Sequence, residues 1–194
     1  MRTKDNVQPR VRVTAMRNRS WSWLFAGIGL ALIAVLLSAC GATALPADIK
    51  VSLYQGSDVL GSETVTLSEL LGDGKPMVLN MWAGRCSACR LEMPIMEKAY
   101  QAYGEDVTII AVDIGSFVGL GNQADALALL EEMQVTYPAG VTGDIDVVKA
   151  YQVLGTPSLY FISPDGEIVK RWAGIMEEDD LMESIEELLA ASSS

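Results

Sequence analysis

Two cysteines three positions apart, Cys86 and Cys89, follow directly on a continuous apolar run and open a helix-forming stretch. The run, Met77-Val78-Leu79-Asn80-Met81-Trp82, is interrupted only by Asn80. That is the pattern of a strand buried on both faces of a sheet. Gly84 ends it, and residues 86 to about 103 read as a helix that Gly104 stops. A Cys-x-x-Cys at a strand-to-helix junction admits few folds, because the spacing has a chemical purpose there. Residues three apart in a first helical turn share a face, so the two sulfurs meet with little backbone movement. The free N–H groups and partial positive charge of the helix N-terminus stabilise a thiolate, which makes Cys86 the expected nucleophile. Arg85 adds a full positive charge beside it. Cys89, one turn deeper, is placed to attack a mixed disulfide and release the product. A purely structural bridge is a weak alternative, since so short a loop removes little chain entropy.

Around this junction the chain reads as one α/β domain. Residues 49–54 and 63–67 alternate and are β-branched, which predicts two short strands about a turn at 56–61, an N-terminal β extension. Ser68 is expected to cap a brief helical turn through Leu71, broken by Gly72-Asp73-Gly74. Residues 107–112 read as a second buried strand, and 124–133 and 144–151 as helices. Residues 158–162 and 168–172 read as strands joined by a Ser163-Pro164-Asp165-Gly166 turn. Residues 177–190 form an amphipathic last helix with Leu181, Ile185, Leu188 and Leu189 on its apolar side. No repeat and no second domain is visible. The order βαβ, helix, ββα closes into one sheet flanked by helices.

The 194-residue chain has three cysteines and no histidine. Ser-His-Asp and Cys-His enzymes are thereby excluded, as are zinc sites of the two-Cys, two-His kind and haem attachment motifs. Chemistry has to run on thiols, carboxylates, lysines or a bound cofactor. Residues 1–40 hold six of the 14 Lys/Arg but one of the 25 acids, so 8 basic against 24 acidic residues leave 41–194 at a formal −16. Such a domain repels nucleic acid and anionic lipid. Cu(I) on Cys86 and Cys89, with Met93 or Met96, is an alternative that soft sulfur permits. Methionines at helical spacing are more often core filler, and no metal is expected.

The first forty residues read as an address. Trp21 to Ala39 is uncharged and follows Arg17 and Arg19, the layout of an export signal. Met16, directly before Arg17, offers a second start position. Leu37-Ser38-Ala39-Cys40 resembles the lipobox of bacterial lipoproteins, in which the cysteine is lipidated and becomes the first mature residue. The alternative is a permanent transmembrane helix, for which about 20 apolar residues suffice. Both place the rest of the chain outside the cytoplasm, tethered to the cell membrane, in a periplasm or on an outer face. The expected organisation is signal or anchor over 1–40, linker over 41–48 and a domain over 49–194.

Residues 75–190 resemble the TlpA/ResA family of extracytoplasmic thioredoxin-like proteins. The resemblance rests on Val78-Leu79-Asn80-Met81-Trp82-Ala83, Cys86, Cys89, Arg90-Leu91-Glu92-Met93-Pro94, Gly155-Thr156-Pro157-Ser158 and Pro164-Asp165-Gly166. It implies a thioredoxin-like fold with a central mixed β-sheet flanked by helices. It implies disulfide exchange on exported proteins, often apocytochrome c, with the redox-active Cys86–Cys89 disulfide and no other cofactor. Electrons would come from a membrane donor protein, and a monomer is expected. Pro157 matches the family's cis-proline, which with Thr156 offers a backbone edge to an extended substrate peptide. Trp82 and Arg85 are the further expected substrate contacts. Glu92 matches an active-site glutamate that influences thiol ionisation and proton transfer, and Asn80 stands where cytoplasmic thioredoxins keep a buried aspartate. Two positions depart from the family: Arg85 replaces the usual aromatic residue before the first cysteine, and Ser87-Ala88 lacks the frequent proline. A peroxiredoxin-type peroxidase would need Pro and Thr where Leu79 and Ala83 stand.

Overall fold

The computed structural model describes residues 44–192, in which strands and helices alternate. The N-terminal part holds β1 (Lys50–Gln55), α1 (Ser57–Leu60), β2 (Thr64–Thr66) and α2 (Leu67–Leu71). The centre holds β3 (Met77–Trp82), α3 (Ser87–Tyr103), β4 (Thr108–Asp113), α4 (Gly115–Val118) and α5 (Gln123–Met133). The remainder is β5 (Ala139–Val141), α6 (Asp146–Ala150), β6 (Ser158–Ile162), β7 (Ile168–Ala173) and α7 (Glu178–Ser192). The expected export signal or anchor, Cys40 and the first residues expected to be linker lie outside the described residues. No helix among the described residues is long and apolar enough to cross a membrane.

All seven strands form one sheet in the order β2-β1-β5-β4-β3-β6-β7. β3 is buried at every residue and pairs parallel with β4 and antiparallel with β6. β5 continues the parallel set beyond β4, whereas β1 and β2 add antiparallel strands at that edge and β7 at the other. The sheet is therefore mixed and thioredoxin-like. Because strand side chains alternate between faces, β3 feeds two cores. Val78 and Trp82 pack in one layer with Met93 and Met96 of α3, Leu129 and Leu130 of α5, and Leu181 and Ile185 of α7. Met77, Leu79 and Met81 pack in the other with Leu67 and Leu70 of α2 and Val147 of α6. Each such fully buried aliphatic side chain contributes roughly 1.5–3 kcal/mol, so the apolar stripe of α7 is enough to dock it.

Several sequence expectations are corrected. The turn at 56–61 contains the one-turn helix α1, bracketed by left-handed glycines, Gly56 at φ 85° and Gly61 at φ 74°. The cap of α2 is Thr66, not Ser68. Glu69 N–H donates to Thr66 Oγ1, and the Glu69 carboxylate accepts the Thr66 N–H in return. Ser68 sits inside the helix and bonds Asp48 through both its N–H and hydroxyl. β5 and α4 were not foreseen, so a parallel strand follows α5 before the final ββα unit. The last stretch expected to be linker is docked: Ala44 N–H bonds the Asp165 carbonyl, and Tyr151 Oη donates to the Ala47 carbonyl at 2.7 Å. Asp165 lies in the β6–β7 turn. Met77 pairs with Ile162, which puts that turn at the sheet end opposite the cysteines.

Candidate active site

The site is built where β3 gives way to α3. Gly84 lets the start of α5 approach: a Cβ there would lie 2.4 Å from the Ala126 nitrogen and 2.5 Å from the Asp125 carbonyl carbon. Arg85 N–H bonds the Leu120 carbonyl at 2.8 Å and Cys86 N–H bonds the Ala83 carbonyl at 3.2 Å, which fixes the approach to the helix. Cys86 is the N-cap of α3, extended at φ −93° and ψ 111°, rather than its first helical residue. Its sulfur takes the place of a capping oxygen and accepts the Cys89 N–H at 3.0 Å. The two cysteines are joined in a disulfide with their Cα atoms 5.2 Å apart. Cys86 borders a surface cleft of about 390 Å³ and Cys89 does not.

The opposite wall is the segment leading into β6. The Thr156–Pro157 peptide is cis. The Thr156 carbonyl oxygen lies 3.3 Å from Cys86 Sγ, and the Pro157 carbonyl accepts the Gly174 N–H at 2.8 Å. Glu92, two turns down α3 from Cys86, is only 1% exposed. One carboxylate oxygen accepts Asn80 Nδ2–H at 2.9 Å and the other the Met176 N–H at 3.2 Å. Burial raises the Glu92 carboxyl to about 7, against the opposing pull of those two hydrogen bonds. Trp82, expected to contact substrate, is 1% exposed and packs in the same core layer as the cysteines. Arg85 is exposed and walls the cleft, together with Ser87, Arg90, Asp125 and Glu132.

Three buried side-chain polar atoms among the described residues have no partner within the protein: Asn80 Oδ1, Trp82 Nε1 and Thr156 Oγ1. All three belong to the two segments that frame the thiols. Unsatisfied buried groups are costly and rare, and they concentrate where a fold is shaped for function. Cys86, Cys89, Glu92, Thr156 and Pro157 are thus brought together, with Trp82 beneath and Arg85 at the rim.

Asp113 and the backbone of Met176 were not anticipated. Asp113 ends β4 in register with Trp82, is 3% exposed, and accepts hydrogen bonds from Tyr54 Oη and Gly115 N–H. Burial raises its pKa, with Asp125 adding to the effect and the two hydrogen bonds opposing it. The only sequence signal was an acid closing an apolar run, at the carboxyl end of a parallel strand where sites gather. Met176 acts through a backbone N–H, which no side-chain pattern reveals.

The sequence pattern of the AhpC/TSA family matches residues 47–171. The thiol-disulfide oxidoreductase ResA of Bacillus subtilis is 31% identical over 166 residues, covering 80% of this chain and 87% of that protein. ResA of Oceanobacillus iheyensis is 34% identical over 130 residues, 66% of this chain, and the chain spans 64% of that relative's length. Among solved structures, the pneumococcal exposed lipoprotein thioredoxin of Streptococcus pneumoniae superposes with a TM-score of 0.60 at 25% identity, covering 73% of this chain and all of that one. With a paired Cys-x-x-Cys, a cis-proline loop and these relatives in agreement, the chain belongs to the AhpC/TSA family, among its ResA-like thiol-disulfide oxidoreductases.

Proposed function

We propose that this protein exchanges disulfides with exported proteins outside the cytoplasm, tethered to the cell membrane, and that it runs as a reductase. The observation that carries the reading is the Cys86–Cys89 disulfide at the N-terminus of α3, with the Thr156 carbonyl against Cys86. In the reduced pair the Cys86 thiolate, stabilised by the helix N-terminus, attacks one sulfur of a substrate disulfide. A mixed disulfide forms and the substrate's other sulfur leaves as thiolate. Cys89 then loses its proton and attacks Cys86 Sγ, releasing the second substrate thiolate and leaving Cys86–Cys89 oxidised. Two electrons have passed to the substrate, and a membrane donor dithiol returns them.

Glu92 lies three residues beyond Cys89 in α3 and takes up the Cys89 proton. A carboxyl near pH 7 can both accept and return a proton under neutral conditions. The Thr156–Pro157 backbone holds the substrate segment as an added strand. The lipobox-like Leu37–Cys40 string and the likeness to an exposed lipoprotein thioredoxin support a lipid anchor. The family resemblance supports apocytochrome c as one substrate.

Insulin reduction by the full chain with a small dithiol tests the reading. Cys86→Ser is expected to abolish turnover, and Cys89→Ser to accumulate mixed disulfides visible on non-reducing gels. Full turnover in Cys86→Ser removes the assigned nucleophile.

A further inference from the structure

Residues 41–194 hold three arginines in a strongly acidic domain. Arg90 pairs with Glu132, and Arg171 donates to Gln152 Oε1 at 3.3 Å. Arg85 makes no ion pair among the described residues, and it is the one adjacent to the nucleophile. Its stem is held in place. The Arg85 N–H bonds the Leu120 carbonyl, and Gly121, at φ +114°, packs so closely that an added Cβ would lie 3.0 Å from Arg85 Cγ.

Arg85 opens on the cleft of about 390 Å³ whose wall includes Cys86. Of the other charges there, two pair with each other and one carboxylate is held by a backbone N–H. Arg90 and Glu132 neutralise each other, and Asp125 Oδ2 accepts the Asn122 N–H in the capping box of α5. Asp125 and Arg85 both pack around Gly121 without forming a salt bridge. The nucleophile therefore stands beside a cation that no salt bridge among the described residues engages, in a domain whose overall field is negative. A guanidinium presents a planar fork that matches a carboxylate in shape and charge.

We propose that Arg85 determines specificity by binding a carboxylate carried next to the substrate's reacting disulfide. The protein thereby favours disulfides with an acidic neighbour over those with a basic one. The proposal rests on the exchange reaction above and names its substrate class. While Arg85 holds the carboxylate, the Cys86 thiolate attacks the neighbouring sulfur and the S–S bond breaks. The partner sulfur departs as thiolate, and Cys89 displaces the bound one in the second step.

The test mixes the reduced full chain with three symmetric disulfides: dithiodipropionate with two carboxylates, neutral hydroxyethyl disulfide, and cystamine with two ammonium groups. Formation of the Cys86–Cys89 disulfide is followed by acid quench and mass spectrometry. The rate ratio of anionic to cationic disulfide is normalised to the same ratio for a free small thiol. Thiolate character of Cys86 enters all three rates alike, so the ratio is blind to mere tuning of the nucleophile. Arg85→Gln is expected to lower the normalised ratio by about two- to fivefold, as for an exposed ion pair. Arg85→Glu should lower it further, Arg85→Lys should restore most of it, and added salt should shrink the wild-type preference. An unchanged ratio in Arg85→Gln, or a parallel change in all three rates, overturns the proposal. Failure of the wild type to react even with the neutral disulfide would instead remove the exchange reading itself.

Discussion

Replacing Glu92 with Gln isolates one buried carboxyl whose ionisation the fold opposes. Its pKa is raised from 4.5 to about 7, first by burial, with the Met176 N–H and Asn80 Nδ2–H partly holding it down. At about 1.4 kcal/mol per pH unit, the difference corresponds to about 3 kcal/mol. The sign follows from proton counts. Between pH 4.5 and 7 the unfolded chain has lost this proton and the folded chain keeps it, so stability falls as pH rises. The loss is absent below the unfolded value and complete above the folded one. Glu92→Gln cannot ionise, so it should escape this loss while filling the same volume. Urea unfolding of the oxidised protein and the variant at pH 4, 5.5 and 8 gives the difference directly. Asp113 and the other acids occur in both proteins and cancel. The expected result is a gap that shifts by about 3 kcal/mol in favour of Glu92→Gln between pH 4 and pH 8. Parallel stability curves would refute a raised carboxyl and, with it, a proton store beside Cys89.

Equilibration with glutathione buffers should place the Cys86–Cys89 pair nearer thioredoxin's about −270 mV than the roughly −120 mV of a strong oxidase. Arg85 raises the potential only modestly, because an exposed charge is well screened, and a value above about −180 mV would sink the reductase direction. Gly84→Ala forces a methyl into backbone atoms of α5 at 2.4 Å and 2.5 Å. It should cost about 1–3 kcal/mol by denaturant unfolding and slow exchange, whereas unchanged stability would show that α5 yields freely. Cys40→Ser should block lipidation and leave an unprocessed precursor. The same uncleaved N-terminus in both proteins by mass spectrometry would favour a transmembrane anchor.

What the sequence made legible follows physical strength. β3, β4 and α3 have long, unambiguous patterns, and their cores are apolar in the structure as the pattern requires. β5 could not be read, because Ala139-Gly140-Val141 is three residues with a glycine at the centre. Its assignment comes from tertiary contact: a Cβ at Gly140 would lie 2.4 Å from the Ser52 carbonyl oxygen, so only glycine lets β1 pair there. The α2 cap lies two residues before the expected one because Thr66 and Ser68 are both capping types just upstream of Leu70-Leu71, and only Thr66 has Glu69 at the capping-box spacing. Docking of residues 44–48 was invisible for another reason. Small residues look like linker until Tyr151 and Asp165 are seen to hold their backbone. In the site, the thiols are legible from their spacing and Glu92 and Pro157 from the family resemblance, whereas the Met176 N–H contribution carries no sequence signature at all.

The pairing of Asn80 with Glu92 explains why an amide rather than an acid serves at the centre of β3. An ionised Glu92 needs donors, and Asn80 Nδ2–H and the Met176 N–H supply them. A protonated Glu92 instead needs an acceptor for its O–H. Asn80 Oδ1 is buried on the same amide without a partner, and half a turn of the amide would offer it in place of Nδ2. Both charge states of the carboxyl can therefore be satisfied without moving the backbone, which keeps the cost of changing between them small. A second carboxylate at this position could accept but, once ionised, could not donate, and it would add a like charge to a buried acid. In the proposed exchange, the amide thus makes β3 a support on which Glu92 can gain and lose a proton near pH 7, one helical turn from the sulfur whose proton must move.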